Sequence, residues 1–132
     1  MDVFLRGVWT MVPGDEDTSW VQKLAKAKKR WEIGFPDQGE IIRRMLQAGV
    51  SERDIARLCR IVGFETAQGI LNLIDDPAVA YYGFNDDARE LDWRIHVFDA
   101  NTGEDLGHLD GVHDSFQEMD PTGREMEPPP TE

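Results

Sequence analysis

Residues 51–76 read SERDIARLCRIVGFETAQGILNLIDD, the most apolar part of the chain and its longest run with helical spacing. The apolar side chains that recur with this spacing are Ile55, Leu58, Cys59, Val62, Ile70, Leu73 and Ile74. The pattern predicts a helix with a buried face, with Ser51 as its N-cap and its end just before Pro77. Gly63 would either lie inside this helix or split it in two. Because the apolar spacing keeps its phase across Gly63, we expect one helix.

Shorter helices are predicted on the N-terminal side of this stretch. They cover residues 2–12, residues 18 or 19 to about 32, and residues 37–48. The last of these has a capping pair in Asp37 and Glu40, and Gly49 is a good helix stop. Residues 37–76 are therefore predicted to form a helical hairpin joined by a very short turn.

The pattern changes after Pro77. Residues 79–84 predict a short strand, and residues 91–98 alternate apolar and polar side chains, which predicts a strand with one face inward. A turn at residues 101–103 would lead into an antiparallel return over residues 106–109. Residues 111–119 form either a short helix or an irregular segment.

These elements predict an α+β fold, with N-terminal helices packed on a small antiparallel β-hairpin. We expect a single domain over residues 1–119, because 132 residues supply a core for one domain. Residues 120–132 are rich in proline and glutamate and are predicted to be a flexible tail.

Composition narrows the possible partners. The net charge of −12 disfavours nucleic acid. A single cysteine excludes an internal disulfide and favours a cytoplasmic setting. No apolar run is long enough to span a membrane, and the first ten residues, MDVFLRGVWT, do not resemble a secretion signal. We therefore expect no membrane partner.

The charge is divided unevenly along the chain. Residues 1–64 carry 11 Lys/Arg and 9 Asp/Glu, whereas residues 65–132 carry 3 and 17, giving +2 and −14. Such asymmetry favours a basic partner, unless the two halves neutralise each other. The acids expected to bind the partner are Asp86, Asp87, Asp92, Asp99, Glu104, Asp105, Asp110 and Asp114.

All three histidines fall between residues 96 and 113. His96, His108 and His113, with Asp110, offer the imidazole and carboxylate ligands that zinc or iron binds, which would suit a metal-dependent hydrolase. Their spacing matches no ligand pattern on a helix, and surface histidines near a turn are the simpler interpretation.

Residues 51–72 also resemble a helix-turn-helix reader of DNA, and a regulator of this kind would use Arg53, Arg57, Gln68 and Asn72. Two features depart from the motif. The interval between Ala56 and Gly63 is too long, and the second helix would carry no arginine for phosphate or guanine.

No phosphate-binding glycine loop or nucleophile motif is present, and Cys59 falls on the predicted buried face, so we expect no catalytic residue and no cofactor. The favoured function is a non-catalytic, acidic protein-binding module of the immunity or adaptor type. It would engage a basic partner through residues 65–120. The metal-dependent hydrolase and the DNA-binding regulator are the alternatives, and the oligomeric state stays open.

Overall fold

The computed structural model describes residues 2–27, 35, 37–76 and 92–131. Three predicted features lie outside these residues: the strand over residues 79–84, the end of the second helix, and the acids Asp86 and Asp87. The chain divides into two compact units, one formed by Met1–Met11 and Phe64–Glu127 and the other by Val12–Gly63 and Pro128–Glu132.

The fold is α+β, as predicted: within the described residues, five α-helices accompany one antiparallel pair of strands. The elements in chain order are α1 (Asp2–Trp9), α2 (Ser19–Lys26), α3 (Gln38–Gln47), α4 (Glu52–Asp75), β1 (His96–Phe98), β2 (Asp105–His108) and α5 (Val112–Phe116). A 3₁₀ turn at Gln117–Met119 follows α5, so residues 111–119 take the helical form of their two predicted alternatives. No helix in the described ranges combines the length and apolarity needed to cross a bilayer.

Helix α2 ends earlier than expected. The sequence pattern extends to about residue 32, but the backbone at Ala27 is extended, with ψ of 128°. Helix α3 supplies the reason, because Arg43 Nη1 donates to the Ala25 carbonyl oxygen at 2.6 Å. Gly39 lies so close that a Cβ there would come within 2.6 Å of the Leu24 carbonyl oxygen. The last carbonyls of α2 therefore contact α3.

Helices α2, α3 and the first part of α4 share one hydrophobic core. Its buried members are Val21, Ala25, Ile42, Ile55 and Ala56, with Cys59 partly buried beside them. The link between α3 and α4 is only four residues long and contains Gly49 at φ of 89°, a conformation that glycine adopts without strain. The predicted helical hairpin is thus two helices joined by a glycine turn.

Helix α4 is continuous from Glu52 to Asp75, which confirms the expectation of one helix. Ser51 Oγ accepts the Asp54 backbone N–H at 3.0 Å and caps the first turn. Gly63 is needed inside the helix because a Cβ at this position would lie 2.9 Å from Pro13 Cδ. Close packing of Pro13, rather than helix termination, explains this glycine.

The unit formed by Met1–Met11 and Phe64–Glu127 has an aromatic core. Trp9, Phe64 and Phe116 stack on one another, with ring centroids 4.6 to 5.8 Å apart. Trp9 Nε1 donates to the Phe116 carbonyl oxygen at 2.9 Å, so the indole N–H is satisfied although the ring is buried. Leu5, Leu71, Leu109 and Val112 complete the apolar interior of this unit.

The β-hairpin is shorter and more exposed than predicted. Strand β1 covers only residues 96–98, residues 92–95 have no regular structure, and every residue of both strands is exposed. The expected inward face is therefore wrong for Ile95 and Val97, which are both exposed. Trp93 gives a physical reason, since its Nε1 donates to the Leu73 carbonyl oxygen at 2.9 Å and ties the residues before β1 to α4.

Residues 120–131 are held by polar contacts at two positions. The buried Asp120 carboxylate accepts the Thr122 and Met126 backbone N–H groups, each at 2.9 Å. Further along, Arg53 donates to the carbonyl oxygens of Pro129 and Pro130. The single domain over residues 1–119 with a flexible tail stays a prediction.

Candidate functional site

Six of the predicted partner-binding acids lie in the described residues, and we call them the hairpin acids. They are Asp92, Asp99, Glu104, Asp105, Asp110 and Asp114. All are exposed except Asp99, which is partly buried. Residues 92–131 hold ten acids against two arginines and no lysine, a net charge of −8. The hairpin acids thus belong to a strongly anionic part of the chain.

Asp99 builds the turn between the strands. Its Oδ1 accepts the backbone N–H groups of Asn101 at 2.7 Å and Thr102 at 2.8 Å. Gly103 then adopts a φ of 73° and donates its N–H to the Asp99 carbonyl oxygen at 2.8 Å. The hydrogen bonds from Thr102 and Asn101 hold the pKa of Asp99 below its usual value. Asp99 is therefore a turn-forming residue that also keeps its charge.

Asp105 links the two strands. Its Oδ1 accepts the Gly107 backbone N–H at 2.8 Å, and its Oδ2 lies 2.9 Å from His96 Nδ1. The Gly107 hydrogen bond, followed by the hydrogen bond and charge of His96 and the charge of His108, lowers the pKa of Asp105. The carboxylate is thus anionic at neutral pH while it remains exposed.

The other hairpin acids differ in how far nearby cations offset them. Asp92 lies 3.4 Å from Arg94 Nη2, and Asp114 lies 3.2 Å from His113 Nε2. Among the described residues, Glu104 and Asp110 have no ion-pair partner and both are exposed. These two carboxylates are the least compensated part of the predicted site.

The predicted metal ligands form two groups that contact different residues. His96 and His108 face each other across the strand pair, with ring centroids 6.0 Å apart. His113 contacts Asp75 and Asp114 instead. Within the described ranges, no three His, Cys, Asp or Glu side chains gather as a metal-binding group. The metal site at His96, His108, Asp110 and His113 stays a prediction.

Asp75 is the last residue of α4 and connects this helix to α5. An acid at the C-terminal end of a helix is unfavourable with the helix dipole, which hints at a partner elsewhere. The Asp75 carboxylate accepts the backbone N–H groups of Val112 at 3.2 Å and His113 at 2.9 Å, and it contacts His113 Nδ1. Burial opposes its ionisation, but these hydrogen bonds and the His113 charge outweigh burial and lower the pKa of Asp75. Asp75 thus holds the start of α5.

Three of the four residues expected to read DNA, Arg53, Arg57 and Gln68, are engaged in protein contacts. Arg57 Nη1 lies 3.2 Å from Asp15, Gln68 donates to the His113 carbonyl oxygen, and Arg53 donates to two proline carbonyls. The turn that a helix-turn-helix motif needs near Gly63 is also absent, because residues 52–75, all described, form one helix. The two halves of the motif are therefore parts of a single helix, and the DNA-binding alternative stays a prediction.

Cys59 agrees with its predicted position. It packs partly buried against the core of α2, α3 and α4. Burial raises the pKa of its thiol, so the reactive thiolate is scarce at neutral pH.

No family model, curated protein or solved structure matches the chain. The described residues place exposed carboxylates around a short, exposed hairpin.

Proposed function

We propose that the chain is a non-catalytic, acidic protein-binding module that engages a basic protein partner through residues 65–120. The observation that carries the proposal is the exposure of uncompensated carboxylates on and beside the hairpin, above all Glu104 and Asp110. Fields of one sign attract partners of the opposite sign and raise the association rate.

The distribution of ion pairs supports this proposal. The partners described for the hairpin acids are Arg94, His96 and His113, all within the same acidic part of the chain. Among the hairpin acids in the described residues, Glu104 and Asp110 thus have no compensating ion pair.

Apolar side chains on the hairpin supply contact area for the same partner. Phe98 is 58% exposed and Leu106 is 60% exposed, and Ile95 and Val97 are also accessible. Protein interfaces combine apolar contacts at their centre with charged groups at the rim. An exposed apolar ribbon among carboxylates therefore fits a partner surface with apolar contacts inside a basic rim.

The experiment compares two doubly neutralised variants of the full chain. Glu104→Gln/Asp110→Asn removes the two uncompensated charges, and Asp37→Asn/Glu40→Gln removes two exposed charges near the start of α3. Each protein is immobilised, partners are captured from a lysate of the source cells, and the association rate of the purified partner is then measured at low and high salt.

We expect a basic partner whose association slows with added salt and slows about tenfold in the hairpin variant, because steering depends on local charge. The Asp37/Glu40 variant should behave like the parent. Association that is flat across salt, or equally slow in both variants, would contradict the proposal.

A further inference from the structure

A proline segment lies against the first turn of α4. Arg53 Nη2 donates to the carbonyl oxygens of Pro129 and Pro130, each at 2.8 Å. Both sides of this contact belong to the same compact unit, formed by Val12–Gly63 and Pro128–Glu132. The nitrogen carries two hydrogens, so each carbonyl receives one of them.

The chemistry of the segment explains why this contact is specific. Three consecutive prolines have fixed φ values near those of polyproline II, and each proline keeps its predecessor out of the helical region. Prolines have no backbone N–H, so such a segment can only accept hydrogen bonds through its main chain. A guanidinium that offers two N–H groups to successive carbonyls is well suited to this backbone.

Open space borders the proline segment. One cavity of about 430 Å³ is lined by Arg53, Pro129 and Pro130 together with the loop residues Asp15, Glu16 and Thr18. A second of about 620 Å³ is lined by Arg53, Asp54, Arg57 and residues 128–131. We call these two cavities together the groove around Arg53. The proline segment contacts this groove without filling it. A bulkier proline-rich segment would therefore gain contacts that the chain's own segment does not make.

We propose that the groove around Arg53 is a binding site for a proline-rich segment of a partner protein, which displaces the chain's own Pro128–Pro130. The partner segment has the polyproline II conformation and presents two successive carbonyls to the Arg53 guanidinium. The seated Pro128–Pro130 shows the backbone chemistry that the groove accepts. This site is independent of the hairpin acids and adds a second kind of partner contact.

The test uses the full chain with its own segment released. Pro128→Gly, Pro129→Ser and Pro130→Gly together remove the resident prolines, and circular dichroism checks that the helices are retained. The probe is a fluorescent peptide, acetyl-Glu-Pro-Pro-Pro-Thr-amide, and binding is measured by anisotropy. A Glu-Ala-Ala-Ala-Thr peptide is the control probe.

We expect the released variant to bind the proline peptide about tenfold more tightly than the unmodified chain, because the resident segment no longer competes. Arg53→Ala in the released background should abolish binding. Arg44→Ala, which removes an exposed cation from α3, should leave binding unchanged.

Three results would overturn the proposal. The first is equal binding of the proline and alanine peptides to the released variant, and the second is binding that survives Arg53→Ala. The third is a dimer of the unmodified chain that dissociates in the released variant, because the proline segment would then join copies of this chain.

Discussion

Asp75 and His113 are joined twice through a single oxygen. The Oδ2 atom of Asp75 accepts the His113 backbone N–H at 2.9 Å and also contacts the Nδ1 atom of the same residue. The two residues are 38 positions apart, and the Asp75 side chain is only 5% exposed. This contact fixes the end of α4 to the start of α5 within one compact unit.

Asp75→Asn should lower the free energy of unfolding by about 2 kcal/mol, because buried hydrogen bonds to a charged acceptor are lost or weakened. Urea unfolding followed by circular dichroism measures the change. Asp110→Asn is the matched control and should change stability little, since Asp110 is exposed and has no ion-pair partner among the described residues. Equal stability of the two variants would contradict the structural role of Asp75.

Because the pKa of Asp75 is lowered in the folded chain, the free energy of unfolding should depend on pH. Its folded pKa lies below its ordinary value, so the unfolded chain takes up this proton at a higher pH than the folded chain. The stabilisation is complete above the unfolded pKa of about 4 and is lost as the pH falls through the folded pKa. Urea unfolding at neutral pH and at about pH 3 should therefore show a smaller acid-induced loss of stability in Asp75→Asn than in the parent. An equal acid-induced loss of stability in the parent and in Asp75→Asn would contradict this prediction.

Helix α4 contains two glycines that should respond in opposite directions to alanine. Gly63→Ala places a Cβ 2.9 Å from Pro13 Cδ and should destabilise the fold by about 1–3 kcal/mol. Gly69→Ala meets nothing within 4 Å and should stabilise it by about 0.5–1 kcal/mol through helix propensity. Thermal unfolding measures both, and Pro13→Ala should relieve the cost of Gly63→Ala. A gain in stability at both positions would show that Pro13 does not restrict Gly63.

Asp15 belongs to a second cluster of buried charged side chains, separate from Asp75 and His113. It is 2% exposed and lies 3.2 Å from Arg57 Nη1 and 3.6 Å from Nε of Arg60, which is itself 3% exposed. Asp15→Ala should cost about 3–5 kcal/mol, because it leaves buried guanidinium charge without its carboxylate. Asp37→Ala is the control and should have little effect on the urea midpoint, because Asp37 is exposed and its side chain makes no capping hydrogen bond. A loss no larger than that of the control would mean that solvent compensates Arg60.

Local periodicity predicted where the helices lie but not every side chain that they bury, since Leu58, Val62 and Ile70 of the predicted buried face of α4 are more than half exposed. The phase of apolar residues across Gly63 predicted the continuity of α4, and the glycine at residue 49 marked the end of α3. Local pattern also predicted that β2 runs antiparallel to β1 after Asp99, because turn-forming residues separate two short apolar runs. These features depend on residues close in sequence.

Local sequence patterns do not predict contacts between residues that are far apart in the chain. The proline carbonyls bound by Arg53 lie 76 and 77 positions away, and Asp75 holds residues 37 and 38 positions away. Periodicity also predicted an inward strand face around Val97, where Trp93 instead ties the chain to the end of α4. A pattern shows that a side chain can be buried, but only tertiary packing decides whether a surface is available to cover it.

The exposed hairpin has a consequence for concentrated solutions of this protein. A short ribbon whose strand residues are all exposed is a template for strand pairing between molecules. Because every copy carries the same carboxylates beside its ribbon, two copies that approach edge to edge repel each other. Acid or concentrated salt weakens that repulsion, so we expect light scattering to show self-association under those conditions and not in dilute neutral buffer. Carboxylates that attract a basic partner would thus also act as the gatekeepers against aggregation.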